Sequence, residues 1–513
     1  MVRLNILIGG KAGQGINKIS EIISKVLTKH GYFTFNYRDY QSLIRGGHNF
    51  NILSISDKKI SSYESKVDFI IAMDENTTKI HKQELKKSGQ IIGFEEFEDL
   101  KRDLNIAQAG ALIKSLGIPE TTLLDEIKKE FNSKESIEAA KKGYESEKEK
   151  FKLKKLNNKI STLNGSQGVS IGAINSDLDL FIGYPMTPAT GVLHELASYQ
   201  LKPEYKNKIM VFQSENEIAA ANQALGSGFA GAKTMTGTSG GGFDLMTEAL
   251  SMQGMSEIPL TVYLASRPGP GTGVPTYSTQ SDLDIALRAG HGEFPRIVIA
   301  PGCPTECIEK TNEALYLAEK YKTLSIILSD KHLAESEFSI TSTPNKPLKI
   351  QIKRALPGKE IVKASSYEHD SNKNTTESAE ITKKNAEKRM EKYNQIKQEV
   401  KNFEMIKLHG NNNSKNLILA WGSTKGVILD AIEDLDCKFL QVIYLKPLSD
   451  EIKKHMLAAK NIILIEQNIT GQLGRLLREK TGISIPEKNR ILKYDSRPFT
   501  SDELNAEIKR RLI

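Results

Sequence analysis

Cysteine is scarce in this chain. Cys303, Cys307 and Cys437 are the only three in 513 residues, too few for a disulfide scaffold and in keeping with a reducing, cytoplasmic setting. The Cys-x3-Cys pair falls short of the four ligands that an iron–sulfur cluster takes, so any electron-transfer metal has to come from elsewhere. The two thiols read instead as packing residues on a helix turn. Long hydrophobic runs are missing too. No eighteen consecutive apolar residues occur, and MVRLNILIGG enters a strand-like segment with no leader pattern, so neither a membrane span nor a signal peptide is expected. A compact basic patch is also lacking. The formal charge of +8 comes from Lys/Glu-rich stretches of mixed sign without basic-aromatic interleaving, and no nucleic-acid partner is expected.

What is present is a βα rhythm. A chain of this length exceeds one ordinary core, so about two to four domains are expected. Strand-like and helix-like segments alternate in the pattern of a parallel α/β architecture. A first unit covers 1–122, with strands at RLNILIGG, YFTFNY, NFNILSIS and VDFIIAMD. Residues 123–160 are charge-dense and helical and read as the close of that unit and a linker. A second unit, 161–334, carries DLFIGYP, IMVFQ, AKTMTGT, LTVYLAS, FPRIVIAP and SIILSD. The segment 335–410 is polar and poor in aromatics, an exposed connector that ends in a helix. A third unit, 411–513, holds NLILAWGS, FLQVIYLKPL and NIILIEQN.

Several strand ends carry residues suited to anions. GGKAGQG (9–15) places Gly10, Gly13 and Gly15 between a strand and a helix, either as a phosphate cradle or as a plain tight turn. SLIRGGHN (42–49) puts Arg45 and His48 around a glycine pair, again an anion reader or a turn. GYPMTPAT (183–190) ends a buried strand, and Thr187-Pro188 reads as an N-cap followed by proline in the first turn. In a parallel sheet this is the edge where ligands collect, and the helix N-terminus suits a carboxylate or phosphate. In QSENEIAAANQALGSG, Ser214 and Glu217 match a capping box, which leaves Glu215 free either to complement the helix dipole or to meet a cofactor. Arg267 ends LTVYLAS and opens SRPGPGTGVPTYSTQ (266–280), a loop stiffened by proline and loosened by glycine. Its planar fork matches a carboxylate in two parallel hydrogen bonds, and the loop holds Thr276 beside it.

Taken together, YPMTPAT, QSENEIAAANQALGSGFAGAKTMTGTSGGGFDLMTEAL and RPGPGTGVPTYSTQSDL resemble the α subunit of 2-oxoacid:ferredoxin oxidoreductases. The first unit, with GGKAGQG and SLIRGGHN, resembles that family's γ subunit, and the third, with IEQNITGQLGRLLR, its transketolase C-terminal-like domain. The chain thus resembles a γ–α fusion. The resemblance implies a multidomain α/β fold with a γ-like domain, a thiamine-pyrimidine-binding domain and a transketolase C-terminal-like domain. It also implies roles. Tyr184 and Thr187 of the YPMTP segment, Arg267 and Thr276 hold the 2-oxoacid, and Glu215 hydrogen-bonds the thiamine aminopyrimidine. Gly10, Gly13, Gly15 and Arg45 are candidates for phosphate or coenzyme A. Met186 stands where the family has isoleucine.

No Gly-Asp-Gly…Asn segment for Mg²⁺–diphosphate and no cysteine-rich tail occur. The resemblance assigns Mg²⁺, the [4Fe–4S] cluster and half of the thiamine diphosphate site to a separate β subunit, in an αβ or (αβ)₂ assembly with ferredoxin as acceptor. The implied reaction is oxidative decarboxylation of a 2-oxoacid with coenzyme A to acyl-CoA and CO₂. The fusion pattern favours 2-oxoglutarate, with pyruvate or a branched-chain oxoacid as the alternative. A non-catalytic nucleotide-binding or assembly subunit would need none of Glu215, Thr187 and Arg267. An NAD-linked 2-oxoacid dehydrogenase has no place for the γ-like unit.

Overall fold

Seven successive buried residues, Leu260–Ser266, form the fourth strand of a seven-stranded sheet. A strand covered on both faces is mostly apolar, and LTVYLAS is so apart from Thr261 and Ser266, with Tyr263 as its largest member. In the computed structural model, which describes residues 2–41, 47–351, 354–363 and 365–512, this sheet runs Tyr444–Lys446, Arg296–Ile299, Leu324–Asp330, Leu260–Ser266, Thr234–Thr238, Leu180–Gly183, Met210–Gln213. The six strands expected for the second unit are all present and mutually parallel. The edge strand Tyr444–Lys446 is antiparallel and comes from the third unit.

The first unit forms a mixed sheet, not the parallel one that its rhythm suggests. Arg3–Lys11 pairs parallel with Val67–Ala72 on one side and antiparallel with His48–Ser56 on the other. His48–Ser56 in turn pairs antiparallel with Phe33–Asp39. Two further strands come from outside residues 1–122. Glu337–Ile340 pairs with Phe33–Asp39, and Ser161–Leu163 pairs with Glu337–Ile340. The segment expected as a linker is also part of this unit. Helices Glu120–Phe131 and Lys134–Ser146 bury Leu123, Ile127, Ala139 and Ala140 in one core with Ile19, Ile22 and Leu112. Charge-dense composition hid this because one apolar stripe per helix is enough to dock it.

The third unit is a five-stranded sheet, Ile406–Gly410, Lys438–Val442, Asn416–Trp421, Asn461–Glu466, Arg490–Leu492, with an antiparallel first edge. In the connector, helix Ala379–Glu399 buries only Ile396 and is tied down by charge. Glu257 accepts from Lys363 at 2.9 Å and from Lys392. Among the described residues no helix is long and apolar enough to cross a membrane.

Candidate active site

The candidate residues of the second unit meet at the carboxyl ends of parallel strands, the edge where open α/β sheets bind ligands. Arg267 follows the central strand directly. Its Nη1 donates to the Thr187 carbonyl at 3.0 Å, which draws the YPMTP turn and the proline–glycine loop together. Burial lowers the pKa of this half-buried guanidinium, while the nearby carboxylates of Glu217 and Asp282 favour its charge. Thr187 itself does not cap the next helix. That helix is Thr190–Gln200, entered through Ala189, which already has helical dihedrals, and the Thr190 amide reaches back to the Met186 carbonyl. Thr187 therefore lies half-buried on a turn with its hydroxyl uncommitted to the helix.

The loop 267–280 owes its path to particular residues. Gly271 and Gly273 have φ of 62° and 54°, and a Cβ on Gly273 would strike the Pro268 carbonyl. The Val274 amide donates to that same carbonyl at 3.2 Å, and the Tyr277 amide donates to Val274 O at 3.2 Å. Glycine tolerates this left-handed backbone where other residues are strained. Thr276 is half-buried at the end of the turn, and Tyr184 is 39 % exposed at the rim.

The helix after Met210–Gln213 is capped at a residue other than the one the sequence suggests. Helix Glu217–Phe229 is capped by Asn216, whose side chain accepts from the Ala219 amide at 2.8 Å, so the Ser214/Glu217 capping box does not form. Glu215 is exposed on the strand-to-helix bend. Glu217 is 3 % exposed, faces Gly242 and Thr238, and keeps Oε1 without any partner. Ser239 Oγ, buried at the same strand end, lacks a hydrogen-bond partner too, while Ser266 and Ser281 lie beside the Asp282 carboxyl. Burial drives the Asp282 carboxyl up to about 6, with Asp244 adding to the rise. Gly240 lies against the Asp282 carboxylate and Gly242 against Glu217, so a Cβ on either would fill the space.

Orphaned buried polar groups are rare and costly, and a cluster of them over a glycine run is what a ligand would complete. In the sequence this spot is marked by SGGG directly after the buried strand TMTGT, a run not singled out there.

The other side of the loop is docked onto the third unit. The Gln280 amide donates to Gln467 O at 2.8 Å, Gln467 N donates to Gln280 Oε1 at 3.0 Å, and Gln280 Nε2 donates to Trp421 O at 2.8 Å. Asn468 Nδ2 donates to Gln280 O, and the Leu283 amide donates to Gln472 Oε1. STQSDL and IEQNITGQ are thus two faces of one joint.

Elsewhere, the glycine loop of the first unit closes on itself. The Lys11 amide donates to Gln14 Oε1 at 2.6 Å, Gln14 Nε2 donates to Met73 O, and Asn105 Nδ2 donates to Gln14 O. Gly10 lies against Gln14, while Gly13 and Gly15 take φ of 97° and 78°. This accounts for the motif as a tight turn. His48 sits 2.8 Å from His81, ring nitrogen to ring nitrogen, and burial and His81 lower its pKa. Arg45 lies outside the described residues.

Residues 5–103 match the family described as "Pyruvate ferredoxin/flavodoxin oxidoreductase", and residues 171–405 match "Pyruvate flavodoxin/ferredoxin oxidoreductase, thiamine diP-bdg". A 2-oxoacid:ferredoxin oxidoreductase subunit alpha from Saccharolobus solfataricus is 30% identical over 99% of this chain and 98% of its own. The chain belongs to the α subunits of the 2-oxoacid:ferredoxin oxidoreductases. A 2-oxoglutarate synthase subunit KorA from Archaeoglobus fulgidus is 34% identical over 38% of this chain and 56% of its own. Among solved structures, a 2-oxoglutarate:ferredoxin oxidoreductase from Magnetococcus marinus with 2-oxoglutarate, coenzyme A and succinyl-CoA bound covers 100% of both chains, with a TM-score of 0.88 and 26% identity. The architecture of this α subunit is a multidomain α/β fold, and the protein is an oxidoreductase subunit.

Proposed function

We propose that the crevice over Gly240 and Gly242 receives the aminopyrimidine of thiamine diphosphate, with Glu217 as its partner, and that Arg267, Thr187 and Thr276 hold a 2-oxoacid beside it. The observation that carries this reading is the buried Glu217 carboxylate with its unpartnered Oε1. An unsatisfied buried acceptor costs about 1–3 kcal/mol, and a ligand N–H placed there removes that cost. Glu215, exposed on the bend, has no such need. Thiamine diphosphate, when bound, supplies the nucleophilic carbon and the electron sink for decarboxylation. The chain's own residues orient and polarise. Glu217 would hold the aminopyrimidine ring by accepting a ring N–H at Oε1, which would leave the exocyclic nitrogen of the bound ring able to act as a base. Arg267 keeps N–H groups for the oxoacid carboxylate after giving Nη1 to Thr187 O. The Thr187 and Thr276 hydroxyls complete that anion site, and Tyr184 shields its rim.

The same reading needs a second chain. Phe212 (47 % exposed), Ile218 (51 %) and Leu245 (51 %) are exposed apolar side chains near Glu217 and the glycine run in sequence, and Met210 (60 %) is exposed at the start of the same edge strand. Met210–Gln213 is also an unpaired sheet edge. Exposed apolar side chains of this size beside a site mark an interface, and a β subunit carrying Mg²⁺ and the [4Fe–4S] cluster is the partner we assign to it. The assembly is αβ or (αβ)₂, with coenzyme A as co-substrate and ferredoxin as acceptor. The three-cysteine composition supports a cytoplasmic setting. We favour 2-oxoglutarate, supported by the end-to-end likeness to an enzyme crystallised with it; pyruvate or a branched-chain oxoacid is the alternative. A purely structural subunit would retain a costly orphan carboxylate to no purpose.

The test is an anaerobic viologen-reduction assay of the reconstituted complex with each glutamate changed singly to glutamine. Glu217→Gln abolishes turnover and slows C2–H exchange of bound thiamine diphosphate by orders of magnitude, while Glu215→Gln stays close to wild type. The opposite pattern would return the role to Glu215.

A further inference from the structure

The proline–glycine loop is held from outside its own unit by one cation. The Arg497 guanidinium lies 3.4 Å from the centre of the Tyr277 ring, a direct stack. Its Nε is 3.5 Å from Asp39 Oδ2 in the first unit. Asp39 is buried and also accepts from the Tyr37 hydroxyl at 3.1 Å. Arg497 therefore touches the second unit with its face and the first with its edge, while its backbone belongs to the third. That backbone is fixed as well. Gln467 Nε2 donates to Arg497 O at 3.1 Å, the Arg497 amide donates to Asp495 Oδ1 at 2.9 Å, and the Ser278 amide donates to Ser496 O at 3.3 Å. Ser496 takes φ of 66°, a left-handed conformation that a residue with a Cβ adopts only when its surroundings impose it.

We propose that Arg497 is a positioning residue for the oxoacid: by clamping Tyr277 against Asp39 it fixes the adjacent Thr276 hydroxyl at the carboxylate site. This rests on the reading of Thr276 given above. The physical argument is one of leverage. Downstream of Thr276 the chain is locked by the Gln280–Gln467 joint, and upstream by the Val274 and Tyr277 turn bonds. Between those anchors the buried Tyr277 ring is held from two sides, by Asp39 beside its hydroxyl and by the planar cation stacked on its face. Guanidinium alone has the shape to stack and to reach a carboxylate in its own plane at once. Lysine keeps the charge toward Asp39 and loses the stack.

Steady-state kinetics of the reconstituted complex test this. Arg497→Ala raises KM for the oxoacid about tenfold with kcat within about twofold, the signature of lost binding that ground and transition states share. KM for coenzyme A stays unchanged, and Arg497→Lys falls between. Tyr277→Leu reproduces Arg497→Ala, while Tyr277→Phe, which keeps the stack and loses the hydroxyl beside Asp39, has a smaller effect. The Tyr277→Leu/Arg497→Ala pair adds nothing further, because both break one contact. An unchanged oxoacid KM with lowered thermal stability would reduce Arg497 to a strap between units and overturn the proposal, as would full additivity of the pair. Thr276→Val, measured alongside, separates the two readings. If it raises KM while Arg497→Ala does not, the clamp fails; if Thr276→Val leaves KM unchanged, the substrate role of Thr276 fails.

Discussion

Arg267 Nη1 donates to the carbonyl oxygen of Thr187 at 3.0 Å, across eighty positions of sequence. One of five guanidinium N–H groups is thereby committed to the protein, and the bond sets the plane of the rest. Lysine in this place has three donors on one point charge and lacks the planar fork that pairs with the oxoacid carboxylate. Arg267→Lys is expected to raise KM for the oxoacid by about tenfold to hundredfold, the range of about 1.5–3 kcal/mol for a hydrogen bond to a charged group. Circular dichroism of the variant confirms that it is folded, and an unchanged KM would remove Arg267 from the substrate site.

Asp282 gives the site a pH signature. Its carboxyl stands at about 6 in the folded chain against 3.8 ordinarily, chiefly through burial. The folded protein thus keeps a proton that the unfolded chain has released. No penalty exists below about pH 4, and stability is lost as pH rises toward about 6, by up to about 3 kcal/mol. Asp282→Asn removes that dependence. The stability difference between variant and wild type, followed by thermal melts of the isolated chain from pH 4 to 7, should grow in favour of the variant. A difference that stays flat across this range would contradict the raised pKa.

The apolar rim makes a separable prediction. Phe212→Asp changes an exposed side chain on an edge strand, so the melting temperature of the isolated α chain should barely move, within about 0.5 kcal/mol. Association with the β subunit should weaken by at least about 2 kcal/mol, as for a central interface residue. Sedimentation of the mixed subunits reads this out. Undiminished assembly would place the interface elsewhere.

A buried ion pair fastens the second unit to the third. Lys425 donates to Glu306, which also accepts from the Gly302 amide and from Gln441 Nε2, each at 2.7 Å. Lys425→Met leaves Glu306 charged and buried, which should cost about 3–5 kcal/mol. Lys425→Met with Glu306→Gln should recover much of that loss in the denaturant midpoint. Equal losses in the single and double variants would show that packing, not charge, holds the joint.

The strand ends were legible because buried strands announce themselves and their carboxyl edges follow; Arg267, Thr187 and the six parallel strands of the second unit rest on that logic. The cap of the helix Glu217–Phe229 was not. Ser214 and Asn216 are both good N-caps two residues apart, and the choice depends on where the strand Met210–Gln213 releases the chain, which is a tertiary matter. Once Asn216 caps, Glu217 turns inward and Glu215 outward. Two short strands escaped for a related reason. Ser161–Leu163 and Glu337–Ile340 are three and four residues long, too short to carry a period, and what makes them strands is a partner far away in the sequence.

That distance also governs how the chain is made. Thr34 and Ser339, bonded across the sheet, are 305 positions apart. At roughly 5–20 residues per second, the ribosome delivers the covering strand about 15–60 seconds after Phe33–Asp39 has emerged. During that interval a strand bearing Phe33, Phe35 and Tyr37 presents an open edge, the template on which neighbouring nascent chains pair. Chaperone capture in that window protects the strand, and a chain truncated before Glu337 carries the open edge permanently.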